Sequence, residues 1–308
     1  MRGAPGQSPG PRAFSGMASS TSFQERNWPS RDGLKLFARD YPAAGDEQRL
    51  PVICLHGLTR NSKDFEDIAP LIAGWGRRVV VPDMRGRGES DRDLDPRNYQ
   101  PKIYARDVLD MMAEFAIPRA VFLGTSMGGL ITMTLAAIRP KAIAAAILND
   151  VGPAIAPEGV ARILGYAGKG SEVRDWNDAA AYVRQTNAIA FPDYGDEDWH
   201  RFAQRTFRQG RAGPELDYDP AITVPLQKPP PRLAGFIARL LFRRLARKRP
   251  TLLIRGERSD IISAEIAETM QHMAPRLQRV DVPGVGHAPM LTEPAAVDAI
   301  EQFLRTVP

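Results

Sequence analysis

A chain of 308 residues with 43% apolar side chains is long enough for one large α/β core carrying an insertion, or for two domains, and no apolar run approaches the ~18 residues of a membrane span. The net charge of +5 is local: Arg2 and Arg12 contribute +2 to the first 21 residues, and Arg232, Arg239, Arg243, Arg244, Arg247, Lys248 and Arg249 contribute +7 to 232–249, so the remainder stands at −4. A mildly acidic body argues against nucleic acid as a partner, because phosphate binding needs a coherent basic face near the functional site.

In chain order, residues 1–21 are Gly-, Pro-, Ser- and Ala-rich with no acid and no hydrophobic h-region. They are expected to be a disordered extension rather than a secretory signal, of a protein that could begin at Met17. Phe23–Trp28 and Leu34–Tyr41 alternate about Arg31-Asp32-Gly33, a hairpin signal. Val52–Leu55 reads as a buried strand, and the only cysteine, Cys54, lies in it as a buried residue. One cysteine excludes a disulfide framework and fits a reducing cytoplasm. Asp64–Trp75 has helical periodicity, Val79–Val81 is a strand closed by Pro82, and Tyr104, Val108, Met111, Met112 and Phe115 mark a helix. Ala120–Leu123 is a strand and Gly129–Ala137 a helix, followed by strands at 143–148 and 251–254, a helix at 264–273, a strand at 279–282 and a helix at 294–304.

Two antiparallel strands followed by alternating strand and helix specify an α/β fold: a mostly parallel sheet, here of eight strands, with helices on both faces. The core is expected at 22–150 and 249–308. The alternation breaks over 151–248, a stretch rich in Trp, Tyr, Arg and Pro that ends near Pro229-Pro230-Pro231. This stretch is expected to be a helical cap over the carboxyl ends of the strands, where ligands bind in such sheets. Its Tyr166, Trp176, Tyr182, Phe191, Trp199 and Phe207 are candidate pocket linings, although each taken singly reads as core.

The chemistry centres on Gly124-Thr125-Ser126-Met127-Gly128, a G-x-S-x-G motif between a strand and a helix. A serine on such a sharp turn is lifted from the sheet edge, and the glycines permit the turn. Serine needs a general base, and the base an orienting acid. Of four histidines, His287, in Pro283-Gly-Val-Gly-His-Ala-Pro289 after the last strand, is the candidate base. His272 reads as a surface residue, His200 as a cap residue and His56 as a tie for its own loop. The candidate acid is Asp260, after the 251–254 strand. Asp150, after the 143–148 strand, is the alternative, and reads more simply as a loop or cap-hinge residue. The amides of Met127 and of Leu58 are the candidate oxyanion donors. Arg60 and Asn61 follow at once, and Arg60 could take a substrate carboxylate or be a solvated surface residue.

These pieces resemble the α/β-hydrolase fold superfamily over about residues 22–308: His56-Gly57, the D-x-R-G-x-G-x-S turn Asp83–Ser90, Gly124–Gly129, Gly256–Asp260 and Gly286-His287. The resemblance implies a cofactor-independent serine hydrolase of a carboxylic ester or lactone, with C–C bond hydrolysis or acyl transfer on the same residues as alternatives and a non-catalytic scaffold as the reading from another class. The serine departs from the aspartate nucleophile of the haloalkane dehalogenases and epoxide hydrolases. Leu58–Ser62 replaces the glycine-rich stretch of the C–C hydrolases. No metal-ligand cluster or dinucleotide spacing is present, since Gly86-Arg-Gly88 lies in a loop. A small-molecule ester or lactone is the expected partner and the cytoplasm the expected location; the oligomeric state is open. The stripe Leu233, Phe236, Ile237, Leu240 and Leu241 with the arginines of 232–249 forms a basic amphipathic helix that reads as a cap helix packed on the core, or as one resting on an anionic membrane.

Overall fold

The computed structural model describes residues 22–45, 49–170, 172–227 and 232–308; the expectations for the 1–21 extension and the Pro229–Pro231 break lie outside them. Ten strands and nine α-helices follow in chain order within these segments: β1 Gln24–Pro29, β2 Lys35–Tyr41, β3 Val52–Leu55, α1 Ile68–Gly74, β4 Val79–Pro82, α2 Pro101–Glu114, β5 Ala120–Thr125, α3 Met127–Ile138, β6 Ile143–Asn149, α4 Pro157–Tyr166, α5 Trp176–Asn187, α6 Asp196–Thr206, β7 Phe207–Gln209, β8 Pro214–Leu216, α7 Ala234–Ala246, β9 Thr251–Gly256, α8 Ala264–Met273, β10 Gln278–Val282 and α9 Pro294–Thr306.

Eight strands form one sheet in the order β1-β2-β4-β3-β5-β6-β9-β10. The β1–β2 and β2–β4 pairs are antiparallel and the rest parallel. Parallel strands covered on both faces need apolar side chains at every position, and β3, β4 and β6 are buried throughout. Successive side chains go to opposite faces. Ile53, Val80, Phe122 and Leu148 enter a core closed by α2, α3, α7 and α8, whereas Cys54, Val81, Leu123 and Ile147 enter one closed by α1 and α9. Cys54 is fully buried, and burial pushes its thiol well above the usual range.

The periodic segment 64–75 is two elements rather than one. Asn61 caps a 3-10 turn at Ser62–Phe65 by accepting from the Lys63 amide, and α1 begins at Ile68. Pro70 explains the break: inside a helix begun at 64 it would remove an interior hydrogen bond, whereas in the first turn of α1 that donor is not needed.

The segment between β6 and β9 differs from an all-helical cap. Helices α4, α5 and α6 are joined by the β7–β8 hairpin and a 3-10 segment, Pro220–Gln227. Val183, Phe191, Trp199, Phe202 and Phe207 build a separate small core there. The expected cap ended at 248, but α7 is not part of it. Phe242, Leu245 and Ala246 are buried in the main core, and Arg244 donates to the Ala136 carbonyl at the end of α3. Helix α7 is therefore a crossover helix of the core, which a parallel β6–β9 pair requires.

Candidate active site

Ser126 stands between β5 and α3 at φ 51°, ψ −113°, a conformation that non-glycine residues rarely adopt. The glycines around it are dictated by contact. A Cβ on Gly124 would lie 2.5 Å from the Gly128 backbone, one on Gly128 2.0 Å from the Leu55 carbonyl oxygen, and one on Gly129 2.2 Å from Val151. This turn can be packed against β3 and β6 only without side chains. The Ser126 amide donates to the Asn149 carbonyl at 3.0 Å, which fixes the turn to the end of β6.

His287 follows β10 on the loop expected for it. Its Nε2 lies 3.0 Å from Ser126 Oγ and its Nδ1 2.7 Å from Asp150 Oδ2. The expected acid, Asp260, is not the residue on the histidine. Its carboxylate instead holds Arg162 of the cap helix α4 by a bidentate pair at 2.5 and 2.9 Å. Burial raises the Asp260 pKa, but the Arg162 guanidinium outweighs it and holds the carboxyl below its ordinary range. Asp150 takes the position instead because β6 lies next to β5 in the sheet, so the residue after it emerges beside Ser126. Its side chain is fully buried and its Oδ1 accepts from the Gly256 amide at 3.0 Å. Its Oδ2 accepts from Ser259 Oγ at 2.5 Å, so Gly256 and Ser259 both donate to Asp150.

Gly57 and Leu58 follow β3 beside the serine, and a Cβ on Gly57 would stand 3.9 Å from Ser126 Cβ. Met127 is the first residue of α3, so its amide is one of the helix's uncommitted donors at the positive end of the dipole. Buried groups hold this loop in shape. His56 Nδ1 donates to the Gly57 carbonyl at 2.8 Å and its Nε2 accepts from the Met84 amide at 3.0 Å. Burial, with the nearby Arg87 charge adding to it, pushes its pKa down to about 4 against the Gly57 bond, which favours the charged ring. Arg87, from the Asp83–Ser90 turn, donates to the Leu58 carbonyl at 3.0 Å and to Tyr104 Oη at 2.8 Å. Asp83 accepts from the Ser62 and Glu89 amides, so the turn shapes the loop from beneath.

A cavity of about 80 Å³ opens onto Ser126 and His287, lined by Leu58, Thr59, Phe65, Ile163, Phe191 and Met290 among others. An adjoining lobe of about 30 Å³ shares Thr59, Arg60, Tyr166, Asn187 and Phe202 with it and reaches Tyr182 and Tyr218. The Tyr182 hydroxyl is buried with no hydrogen-bond partner among the described residues. Tyr166, Tyr182 and Phe191 thus line the site as their residue types suggested, whereas Trp199 and Phe207 belong to the cap's own core and Trp176 packs at its margin. Phe202 and Ile163 were not legible as lining, since an apolar residue on an amphipathic helix looks the same facing a core or a cavity.

Arg60 and Asn61 differ from their expected role. Arg60 borders the cavity, but its guanidinium is paired with Asp64 at 2.5 Å, donates to Thr206 Oγ1 at 2.5 Å and lies 4.2 Å over the Phe202 ring. Asn61 is buried away from the cavity, donating to the Arg205 carbonyl and to Asp217. Both join core to cap.

The fold and these motifs agree with a match to the family model described as alpha/beta hydrolase fold, over residues 51–294, and the chain belongs to that family of hydrolases. A 3-hydroxybutyrate-oligomer hydrolase of Cupriavidus necator is 35% identical over 257 residues, 82% of this chain and 87% of that protein. An alpha/beta hydrolase from Novosphingobium aromaticivorans superposes with a TM-score of 0.85 at 44% identity, covering 94% of this chain and 99% of that one. A 2-(acetamidomethylene)succinate hydrolase of Mesorhizobium japonicum is 25% identical over 77% of this chain and 81% of its own length.

Proposed function

We propose that the protein is a serine hydrolase of short carboxylic esters, favouring esters of hydroxy acids, and that it works through an acyl-enzyme. The observation that carries the reading is the chain of contacts from Ser126 Oγ to His287 to Asp150, at 3.0 and 2.7 Å. In this mechanism His287 Nε2 takes the serine proton as Oγ attacks the ester carbonyl. Asp150 keeps Nδ1 protonated and stabilises the imidazolium that forms. The amides of Leu58 and Met127 receive the oxyanion, each such donor contributing roughly 3–4 kcal/mol of barrier lowering. The imidazolium then gives its proton to the leaving alkoxide, and a water deprotonated by His287 releases the acid.

The preference for hydroxy-acid esters draws on two supports. The related Cupriavidus protein is named for an oligomer of 3-hydroxybutyrate, whose units are joined by ester bonds. The lobe beside the site also ends at an unpartnered tyrosine hydroxyl, and its ~30 Å³ suits a single polar group or a water. The sole, buried cysteine suits a reducing compartment, and we extend the reading to the cytoplasm.

A panel of p-nitrophenyl esters from acetate to palmitate, simple lactones, 3-hydroxybutyrate dimer and a vinylogous diketone tests the reading. Turnover of the short esters and the dimer, lost in Ser126→Ala, is expected. Cleavage of the diketone alone, or ester turnover unchanged in Ser126→Ala, would refute it.

A further inference from the structure

Helix α7 carries two apolar faces, of which the fold uses one. Phe242, Leu245 and Ala246 are buried in the main core. From the helix N-cap Leu233 onward, Leu233, Phe236, Ile237 and Leu240 recur at i, i+3, i+4 and i+7 on the opposite face. They are 65%, 68%, 48% and 55% exposed, and the segment leading to the helix turns Leu226 outward as well. The same stretch holds seven cations and no acid. Arg244 and Arg249 are committed to carbonyls of the core. Arg232, Arg239, Arg243, Arg247 and Lys248 are left, and none pairs with a carboxylate among the described residues.

We infer that this face is a docking surface for an anionic lipid bilayer, on which α7 lies in the interfacial plane. The combination decides the occupant. An exposed stripe of large apolar side chains gains by entering hydrocarbon, and guanidinium groups beside it meet lipid phosphates in the bidentate geometry they favour. Nucleic acid would satisfy the arginines and leave the stripe in water. A second copy meeting the same face would set the same row of cations against itself. No described helix is long and apolar enough to cross a membrane, so the contact is with the surface. It needs no catalytic residue and stands apart from the esterase reading.

Flotation of the full chain with phosphatidylcholine vesicles, with and without phosphatidylglycerol, tests this. The wild type should float with the mixed vesicles at low salt, and binding to phosphatidylcholine alone should be at least about tenfold weaker. Phe236→Ser/Leu240→Ser should lose at least about tenfold in binding, because two apolar anchors leave the interface. Arg239→Gln/Arg243→Gln should lose roughly 25-fold, about fivefold for each cation. All substituted positions are exposed, so melting temperatures should stay at the wild-type value and report that the variants are folded. Absence of flotation by the wild type, or equal flotation by the variants, would overturn the proposal. So would a sedimentation dimer that Phe236→Ser/Leu240→Ser dissociates while vesicle binding is absent, which would assign the face to a second copy.

Discussion

Ser126 is held at φ 51° against a backbone cost of order 1–3 kcal/mol, and that turn points its hydroxyl at His287. The acid on the far side of the imidazole separates two assignments, of which the sequence alone favoured Asp260. With Asp150 as the orienting group, Asp150→Asn should lower kcat by about 10⁴-fold with the fold intact, because the wrong imidazole tautomer is favoured. Asp260→Asn should change kcat by less than about threefold, since it severs a surface-side pair with Arg162 that is partly exposed. Steady-state kinetics of both variants decide, and the reverse ranking would restore Asp260. Ser126 and His287 were legible because each lies in a glycine-flanked strand-end loop. The acid was not, because Asp150 and Asp260 both follow strands and both satisfy the order Ser…Asp…His. Only the sheet order, with β6 beside β5, brings one of them to the histidine.

His56 makes the stability of the fold depend on pH. Its folded pKa, about 4, is below the unfolded value of about 6.5, so the unfolded chain binds the extra proton. The neutral imidazole therefore costs nothing above pH 6.5 and destabilises the fold increasingly as pH falls from 6.5 toward 4. Between pH 7 and pH 5 this group removes about 2 kcal/mol. Asp83 and Asp107, raised to about 6 by burial, act in the opposite sense over part of the same range. The His56 contribution is thus read as a difference: urea stability of the wild type should fall more between pH 7 and 5 than that of His56→Gln. Equal slopes would contradict the assignment.

At the scale of elements, the packing of α3 against β3 rests on a glycine. Gly128→Ala would drive a Cβ into the Leu55 backbone and should cost at least about 3 kcal/mol in denaturant unfolding. Gly165→Ala near the end of α4 meets nothing within 4 Å and should be neutral or stabilising by up to about 1 kcal/mol. A mild Gly128→Ala would show that α3 can slide without loss. The core elements were legible because strands covered on both faces are continuously apolar and their helices amphipathic. Helix α7 was assigned to the cap because its stripe of leucines reads equally as cap or core packing. The β7–β8 hairpin escaped notice because strands of three residues carry no period to recognise.

Across the whole molecule, polar side chains tie the cap to the core beside the apolar contacts of Tyr218 and Ile222, which are buried in the main core. Asn61 reaches Arg205 and Asp217, Lys63 pairs with Asp217, Arg205 with Asp67, and Arg60 with Thr206. Asn61→Ala leaves the buried Asp217 short of a donor and should remove roughly 2 kcal/mol, a fall of several degrees in Tm. Because the cap walls the cavity, KM should rise more than kcat falls. An unchanged Tm and KM would show that the cap is held by other contacts.

Active-site labelling reports whether Ser126 is the nucleophile. Treated with a fluorophosphonate, the native protein should gain one adduct, found by peptide mass spectrometry on the peptide containing Ser126. The unfolded protein and Ser126→Ala should gain none. An unlabelled native protein, or an adduct on any other residue, would contradict the account.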